Sequence, residues 1–260
     1  MPLCFNKVID AAKLNARNKL ASRWKSIYDF DSGAAIWLKD VSMTGAEWKT
    51  IDGKWSWTQP VVGERPSVVA GGLSFNGTAS NMTCDVLGER GNLNFTILIG
   101  ARSVAGTGSR CVITMGDSEA SPESALLRLD ISNTASPGTS QKFQASRTSP
   151  SVVTAVALSA EATAKGAGPW DLAISLDKTN MRVDRVANPL VQIGATQLTP
   201  DFTGKSFSLL TLGARRLFSP VGSALYFQGT IPYVIVGSRK WTGEEILKAH
   251  TALAAEGLIT

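Results

Sequence analysis

The sequence is poor in the residue types on which most catalytic and metal chemistry depends. Its 260 residues include one histidine, His250, and three cysteines, Cys4, Cys84 and Cys111. A single imidazole and no CxxC spacing exclude zinc motifs of the HExxH or Cys/His kind. An odd, irregularly spaced cysteine count is no secreted disulfide framework. Buried free thiols are expected, with one pair plus a leftover or an inter-subunit bridge as the alternatives. No apolar run reaches the roughly 18 residues of a membrane span, so membrane insertion is not expected. Charges interrupt the first twenty residues, which therefore lack the apolar core of a signal peptide.

Charged residues make up 18% of the chain and hydrophobic ones 43%, a balance that supports a sizeable core and excludes a disordered composition. The net charge of +5 is concentrated in residues 7–25, where Lys7, Lys13, Arg17, Lys19, Arg23 and Lys25 face one acid, Asp10. The remainder is nearly neutral, so no nucleic-acid partner is expected. Within the basic segment Ile9, Ala12, Ala16, Leu20 and Trp24 recur at helical spacing. Val8 to Trp24 is expected to form an amphipathic helix, with Lys13, Arg17, Leu20 and Trp24 as candidates for docking on a partner. The chain divides on this reading into an anchor, 1–27, and one β domain, 28–260.

That β domain is written in short strands. Asn94 to Gly100 and Cys111 to Met115 are apolar runs of strand length. Leu127, Leu129 and Ile131 alternate with Arg128 and Asp130, the mark of a half-buried strand. Lys142–Arg147, Val152–Leu158, Trp170–Leu176 and Met181–Val186 follow, separated by turn signals such as the Pro-Gly within 135–140. Such spacing describes a sandwich or barrel. Asp52-Gly53 is a hairpin signal between Trp48 and the pair Trp55 and Trp57. Those two indoles fall on one side of any strand, so they either form a sugar-stacking platform or fill the core.

Two segments carry a family resemblance. One is Arg65-Pro66 followed by Gly72-Leu73-Ser74-Phe75-Asn76-Gly77. The other runs from Ser208, with Leu212-Gly213-Ala214-Arg215, then Tyr226-Phe227-Gln228-Gly229-Thr230-Ile231, then Thr242-Gly243-Glu244-Glu245-Ile246. Together they resemble the laminin-G-like, concanavalin A-type jelly roll. The resemblance implies an all-β fold, an antiparallel two-sheet jelly-roll sandwich, here with an N-terminal helix and a short C-terminal helix. It also implies calcium as a possible cofactor. Asp85, Asp117, Asp130 and Asp171 are conceivable ligands, but none lies in a specific motif and no metal residue is assigned. Gln228 stands where the family places an acid. From the residues alone, Ser208–Arg215 and Tyr226–Gly237 read as two strands around a turn-rich Phe218–Ala224. Gly229 suggests a bulge or close backbone approach, and Pro232 an edge strand or bulge. Thr242 caps a helix whose apolar face is Ile246, Ala249, Leu253 and possible contributor Leu247.

Catalytic constellations are not evident. His250 lies in the last helix without a GxSxG elbow to serve. Asp117, Glu119 and Glu123 surround Gly116 and Pro122 in a loop rather than sharing a strand face as paired glycosidase acids would. Gly204-Lys205-Ser206 lacks the first glycine of a phosphate loop. The sequons at Asn76, Asn81 and Asn94 read as turn and strand residues. The sequence therefore leads to the expectation of a non-enzymatic virion structural or adhesion protein, in a bacteriophage tail, fibre or capsid surface. Its sandwich would bind other virion proteins or a host-surface glycan, and a homo-oligomer is expected. The alternative is a carbohydrate-binding, lectin-like module using Trp55 and Trp57; a glycan-cleaving enzyme ranks below both.

Overall fold

A computed structural model of the chain describes residues 34–37, 47–49, 56–69, 72–85, 94–103, 109–116, 125–134, 138–148, 153–159, 169–177, 180–186, 189–197, 209–218, 221–237 and 239–255. The expected N-terminal helix, with Lys13, Arg17, Leu20 and Trp24, lies outside these residues, as does Trp55. The described chain is antiparallel β-structure closed by one helix, in agreement with the all-β sandwich expected.

One sheet has nine strands. Its main path runs β14 (Val191–Gln197), β13 (Asn180–Arg185), β12 (Pro169–Leu176), β7 (Phe95–Ser103), β18 (Gln228–Ile231), β5 (Gly72–Asn76) and β4 (Ser67–Val69). Beyond this path β19 (Tyr233–Gly237) pairs with β7 and with β1 (Ala34–Trp37). The facing sheet of eight runs β11 (Val153–Ser159), β10 (Gly138–Thr148), β9 (Ala125–Thr134), β8 (Ser109–Gly116), β15 (Leu209–Leu212), β6 (Met82–Asp85), β3 (Ser56–Thr58) and β2 (Glu47–Lys49). A separate hairpin joins β16 (Arg215–Phe218) to β17 (Val221–Ala224).

Period-two alternation places the core between the sheets. Phe95, Ile97, Ile99 and Ala101 of β7, with Leu172, Ile174 and Leu176 of β12, point inward to meet Met82, Leu210, Leu212, Ile113, Met115 and Leu129. Trp57 belongs to this core at 1% exposure. The intervening residues of the nine-stranded sheet, Leu98, Ala173, Tyr233 and Ile235, face outward into a second apolar cluster. That cluster is completed by Trp241 and by Ile246, Ala249, Ala252 and Leu253 of the closing helix α1 (Gly243–Ala255). Every residue of β19 is therefore buried, one face by the sandwich and the other by α1.

Two local features differ from the sequence reading, and a third, the irregularity expected at Pro232, is met. Ser208–Arg215 is not one strand, because Gly213 at φ +78° turns the chain between β15 and β16. The turn-rich segment after Phe218 is the second half of a hairpin rather than open loop. At Pro232 the β18–β19 run shifts register against β7 by one residue and exchanges its other neighbour from β5 to β1. Proline has no N–H for the ladder, so a bulge there costs little even in a central strand.

The start of α1 is a reciprocal cap. Glu245 N–H donates to Thr242 Oγ1 at 3.3 Å and Thr242 N–H donates to Glu245 Oε2 at 2.7 Å, the two-way arrangement that satisfies two otherwise orphaned donors. Among the described residues no helix is long and apolar enough to cross a membrane.

Candidate functional site

Two polar clusters stand on opposite outer faces of the sandwich. The first lies under α1. Asp171 is the one acid in the apolar run of β12, and alternation turns it to the helix side. Its Oδ1 accepts from Tyr233 Oη at 2.6 Å and from Arg102 Nη1 and Nη2 at 3.2 and 3.1 Å. Arg102 also donates to the Trp170 carbonyl at 3.0 Å. His250 of α1 brings Nε2 to 3.7 Å from Asp171 Oδ2, beyond hydrogen-bond reach. Gly100 makes the assembly possible: a Cβ there would stand 2.7 Å from the Tyr233 ring and 2.8 Å from Pro232.

The electrostatics of this cluster are those of a brace. Burial alone would raise the Asp171 carboxyl, but His250, Tyr233 and Arg102 outweigh it and hold the group below its ordinary value. Burial and the neighbouring Asp171 push the Tyr233 phenol well above its ordinary value. Near neutrality Asp171 has no proton to donate and Tyr233 is no phenolate nucleophile. The sequence reading of His250 as an ordinary helix residue missed this pairing with a strand acid 79 positions away.

The second cluster crosses the outer face of the eight-stranded sheet. Cross-strand register lines up Thr58, Thr83, Thr211, Thr114 and Arg128 on neighbouring strands. Directly paired residues share a face, and this row alternates with Met82, Cys84, Leu210, Leu212, Ile113, Met115 and Leu129 of the core. The row is solvated at its β3 end, where Thr58 is exposed, and covered at its centre, where Thr114 and Thr211 are 1% and 0% exposed. Thr114 Oγ1 donates to the Ala214 carbonyl at 3.0 Å and contacts Cys111 Sγ at 3.2 Å. Thr211 Oγ1 is buried without a hydrogen-bond partner.

Arg128 Nε pairs with Asp130 Oδ2 at 3.0 Å, the side chains being 14% and 3% exposed. Asp130 had been expected on a solvated strand face; instead the chain that follows β15 covers it. Burial, then the Asp130 charge, pushes the Cys111 thiol well up, leaving a poor nucleophile. Cys84 is likewise fully buried.

Calcium does not fit the acids that can be tested. Asp130 and Asp171 are each committed to an arginine, and among the described residues no group of three or more His, Cys, Asp or Glu gathers as a ligand set. The side chain of Asp85, and Asp117 with the Glu119 and Glu123 loop, lie outside the described residues. Of the tryptophan pair, Trp57 is enclosed in the core, so its ring faces no solvent. Asn76 and Asn81 serve the fold. Asn76 Oδ1 accepts from the backbone N–H groups of Thr78, Ala79 and Ser80, and Asn81 is 4% exposed.

No family model matches the sequence, and no curated protein does. Solved structures do share its fold. Trypanosoma rangeli sialidase in complex with 2,3-difluorosialic acid superposes with a TM-score of 0.59 at 13% identity, over 95% of this chain and 40% of the sialidase. A mutant of that sialidase displaying trans-sialidase activity gives 0.57 at 15% identity over the same shares. A Ruminococcus gnavus sialidase CBM40 bound to α2,3 sialyllactose scores 0.45 at 15% identity over 61% of this chain and 82% of its own. The chain thus spans 40% of the length of the sialidases it matches. The expectation that the chain is not an enzyme is overturned by this likeness, because the fold that occupies nearly its whole length is one that sialidases carry. These likenesses concern the fold and lend no support to a virion role.

Proposed function

We propose that this chain is a glycan-recognition module, with the solvated β3 end of the outer row on the eight-stranded sheet, at Thr58 and Thr83, as its contact surface. The observation that carries this reading is the fold likeness over 95% of the chain to a sialidase holding a sialic acid derivative. Threonine hydroxyls at that open end suit the hydroxyls of a saccharide, which needs placed polar contacts rather than one deep apolar pocket. Trp55, outside the described residues, is kept as a separate proposal for sugar stacking and forms no part of this row. Docking through residues 1–27 and display on a virion remain proposals that rest on the basic segment and the family resemblance.

The test is a glycan array probed with the full chain, followed by calorimetry on the hits. Saturable binding that is lost on Thr83→Val, with unchanged melting temperature, supports the module. No saturable binding at millimolar saccharide overturns it. Sugar release is measured in the same incubations, because sialidases carry this fold.

A further inference from the structure

An arginine without a carboxylate stands where three segments of the chain meet. Arg110 lies near the start of β8, and its Nη1 donates to the Gly77 carbonyl at 3.0 Å and to the Tyr226 carbonyl at 3.2 Å. Those bonds occupy both protons of Nη1 and fix the plane of the guanidinium. Its Nε–Nη2 edge is the side that meets a carboxylate or a sulfate with two parallel bonds. Among the described residues that edge has no hydrogen-bond or ion-pair partner. Neither atom belongs to the enclosed polar atoms that lack partners, so the edge is open. Arg110 is nonetheless half-buried, and partial burial of a cation costs free energy that an anionic ligand would offset.

The backbone around this guanidinium is shaped to hold it. A Cβ at Gly77, whose φ is +78°, would stand 2.9 Å from Arg110 Nη1 and 2.8 Å from Gln228 Cβ. The bare turn thus lets both side chains close on one point. Leu225 is the non-glycine residue among those described that takes a left-handed φ, at +51°, and its carbonyl accepts from the Cys111 N–H at 2.7 Å. It is 36% exposed, so a strained apolar side chain faces solvent directly before the Tyr226 carbonyl that Arg110 grips. Strain of this kind gathers at ligand clamps. Tyr226 and Gln228 are only half-buried. We infer that the open edge of Arg110, flanked by Gln228 and Leu225, binds the anionic group of an acidic saccharide, a carboxylate or a sulfate ester. The planar fork matches either group. The inference rests on the glycan-recognition reading but uses other elements than Thr58 and Thr83, and no covalent step is involved.

The full chain is titrated by calorimetry with matched neutral, carboxylate-bearing and sulfated oligosaccharides, at low and at physiological salt. An acidic member is expected to bind about tenfold more tightly than its neutral match, and less so as salt rises. Arg110→Gln should bring that ratio close to one, while Arg110→Lys, which keeps the charge but loses the fork, should restore only part of it. Gln228→Glu sets a carboxylate next to the guanidinium and should abolish the preference with the arginine still in place. Thermal melting checks that the variants fold, and if Arg110→Gln does not, Gln228→Glu carries the test. The carboxylate and sulfate arms identify which anion is read, and preference for either supports the inference. Equal binding of neutral and acidic members overturns it while leaving glycan recognition standing. An acidic preference that survives in folded Arg110→Gln or in Gln228→Glu also overturns it. Failure of every saccharide to bind removes both readings.

Discussion

Replacing Asp171 with Asn takes one charge out of the cluster under α1 while preserving its shape. The carboxylate holds the Arg102 guanidinium and the Tyr233 hydroxyl together. The amide oxygen can still accept from Tyr233, so the loss falls chiefly on the pair with Arg102. Breaking a fully buried ion pair costs about 3–5 kcal/mol. Here the side chains are 20% and 12% exposed, and solvent screening brings the expected cost to about 2–3 kcal/mol. In a protein of this size that lowers Tm by roughly 4–12 °C. The pH dependence has a definite sign. Because the folded carboxyl lies below its ordinary value, its stabilisation is complete above the unfolded aspartate pKa of about 3.9 and is lost as pH falls through the folded value. Urea unfolding monitored by tryptophan fluorescence at pH 7, 5 and 3 measures it. Wild type should exceed Asp171→Asn by the full amount at pH 7 and by less at pH 3. A difference below about 0.5 kcal/mol at pH 7, or one that does not shrink in acid, refutes the brace.

Further measurements bear on the same architecture. Tyr233→Phe should cost about 1–2 kcal/mol through the lost donor. It should also flatten the alkaline limb, since a phenol raised on folding stabilises below its unfolded pKa of about 10 and ceases to as pH climbs through the folded value; melts from pH 8 to 11 decide. Gly213→Ala meets both a φ of +78° and the Phe75 ring, so a loss of about 2–4 kcal/mol is expected, whereas Gly63→Ala, with open space around it, should stay within about 0.5 kcal/mol of wild type. Thr242→Ala removes half of the helix cap and should cost about 1 kcal/mol, read by urea midpoint. Glu245, held down to about 2 first by Arg239, contributes above its unfolded value and loses that contribution as pH falls toward 2, so Glu245→Gln and wild type should converge in acid.

What could be read in advance was local, and what could not was remote in sequence. Leu73 and Phe75 alternate with Ser74, and Asn76-Gly77 turns the chain, so that strand and turn are legible in six residues. The capping threonine and the helix face are equally local, although Ala252 joins the buried set beside Ile246, Ala249 and Leu253. The division of Tyr226–Gly237 is half legible: Pro232 announces a break, but the change of partner from β5 to β1 depends on strands about 160 and 200 positions earlier in the chain. The clusters were hidden for the same reason. Asp171 interrupts an apolar run and so hints at a partner, yet Arg102 and Tyr233 stand 69 and 62 positions away. Asp130 read as solvated because alternation reports which side of a strand a residue occupies, never what later covers that side.

That distinction separates the roles of the two outer faces. On the nine-stranded sheet the covering element is a helix whose residues complete an apolar cluster, and the acid beneath it has donors on β7 and, across it, on β19. Those bonds brace three strands against one another, while His250 Nε2 of α1 stands 3.7 Å from the acid. On the eight-stranded sheet the Thr211 hydroxyl, and the Nε of Arg215 at the start of the β16–β17 hairpin, are buried without partners. Leaving a buried donor unsatisfied costs about 1–3 kcal/mol, and a chain selected for stability alone would replace Thr211 with valine, which fits the same strand surface. Thr211→Val is accordingly expected to stabilise the free chain, by urea midpoint, and to leave saccharide binding unchanged, because the residue is fully buried. A destabilised variant would show instead that the hydroxyl serves the fold.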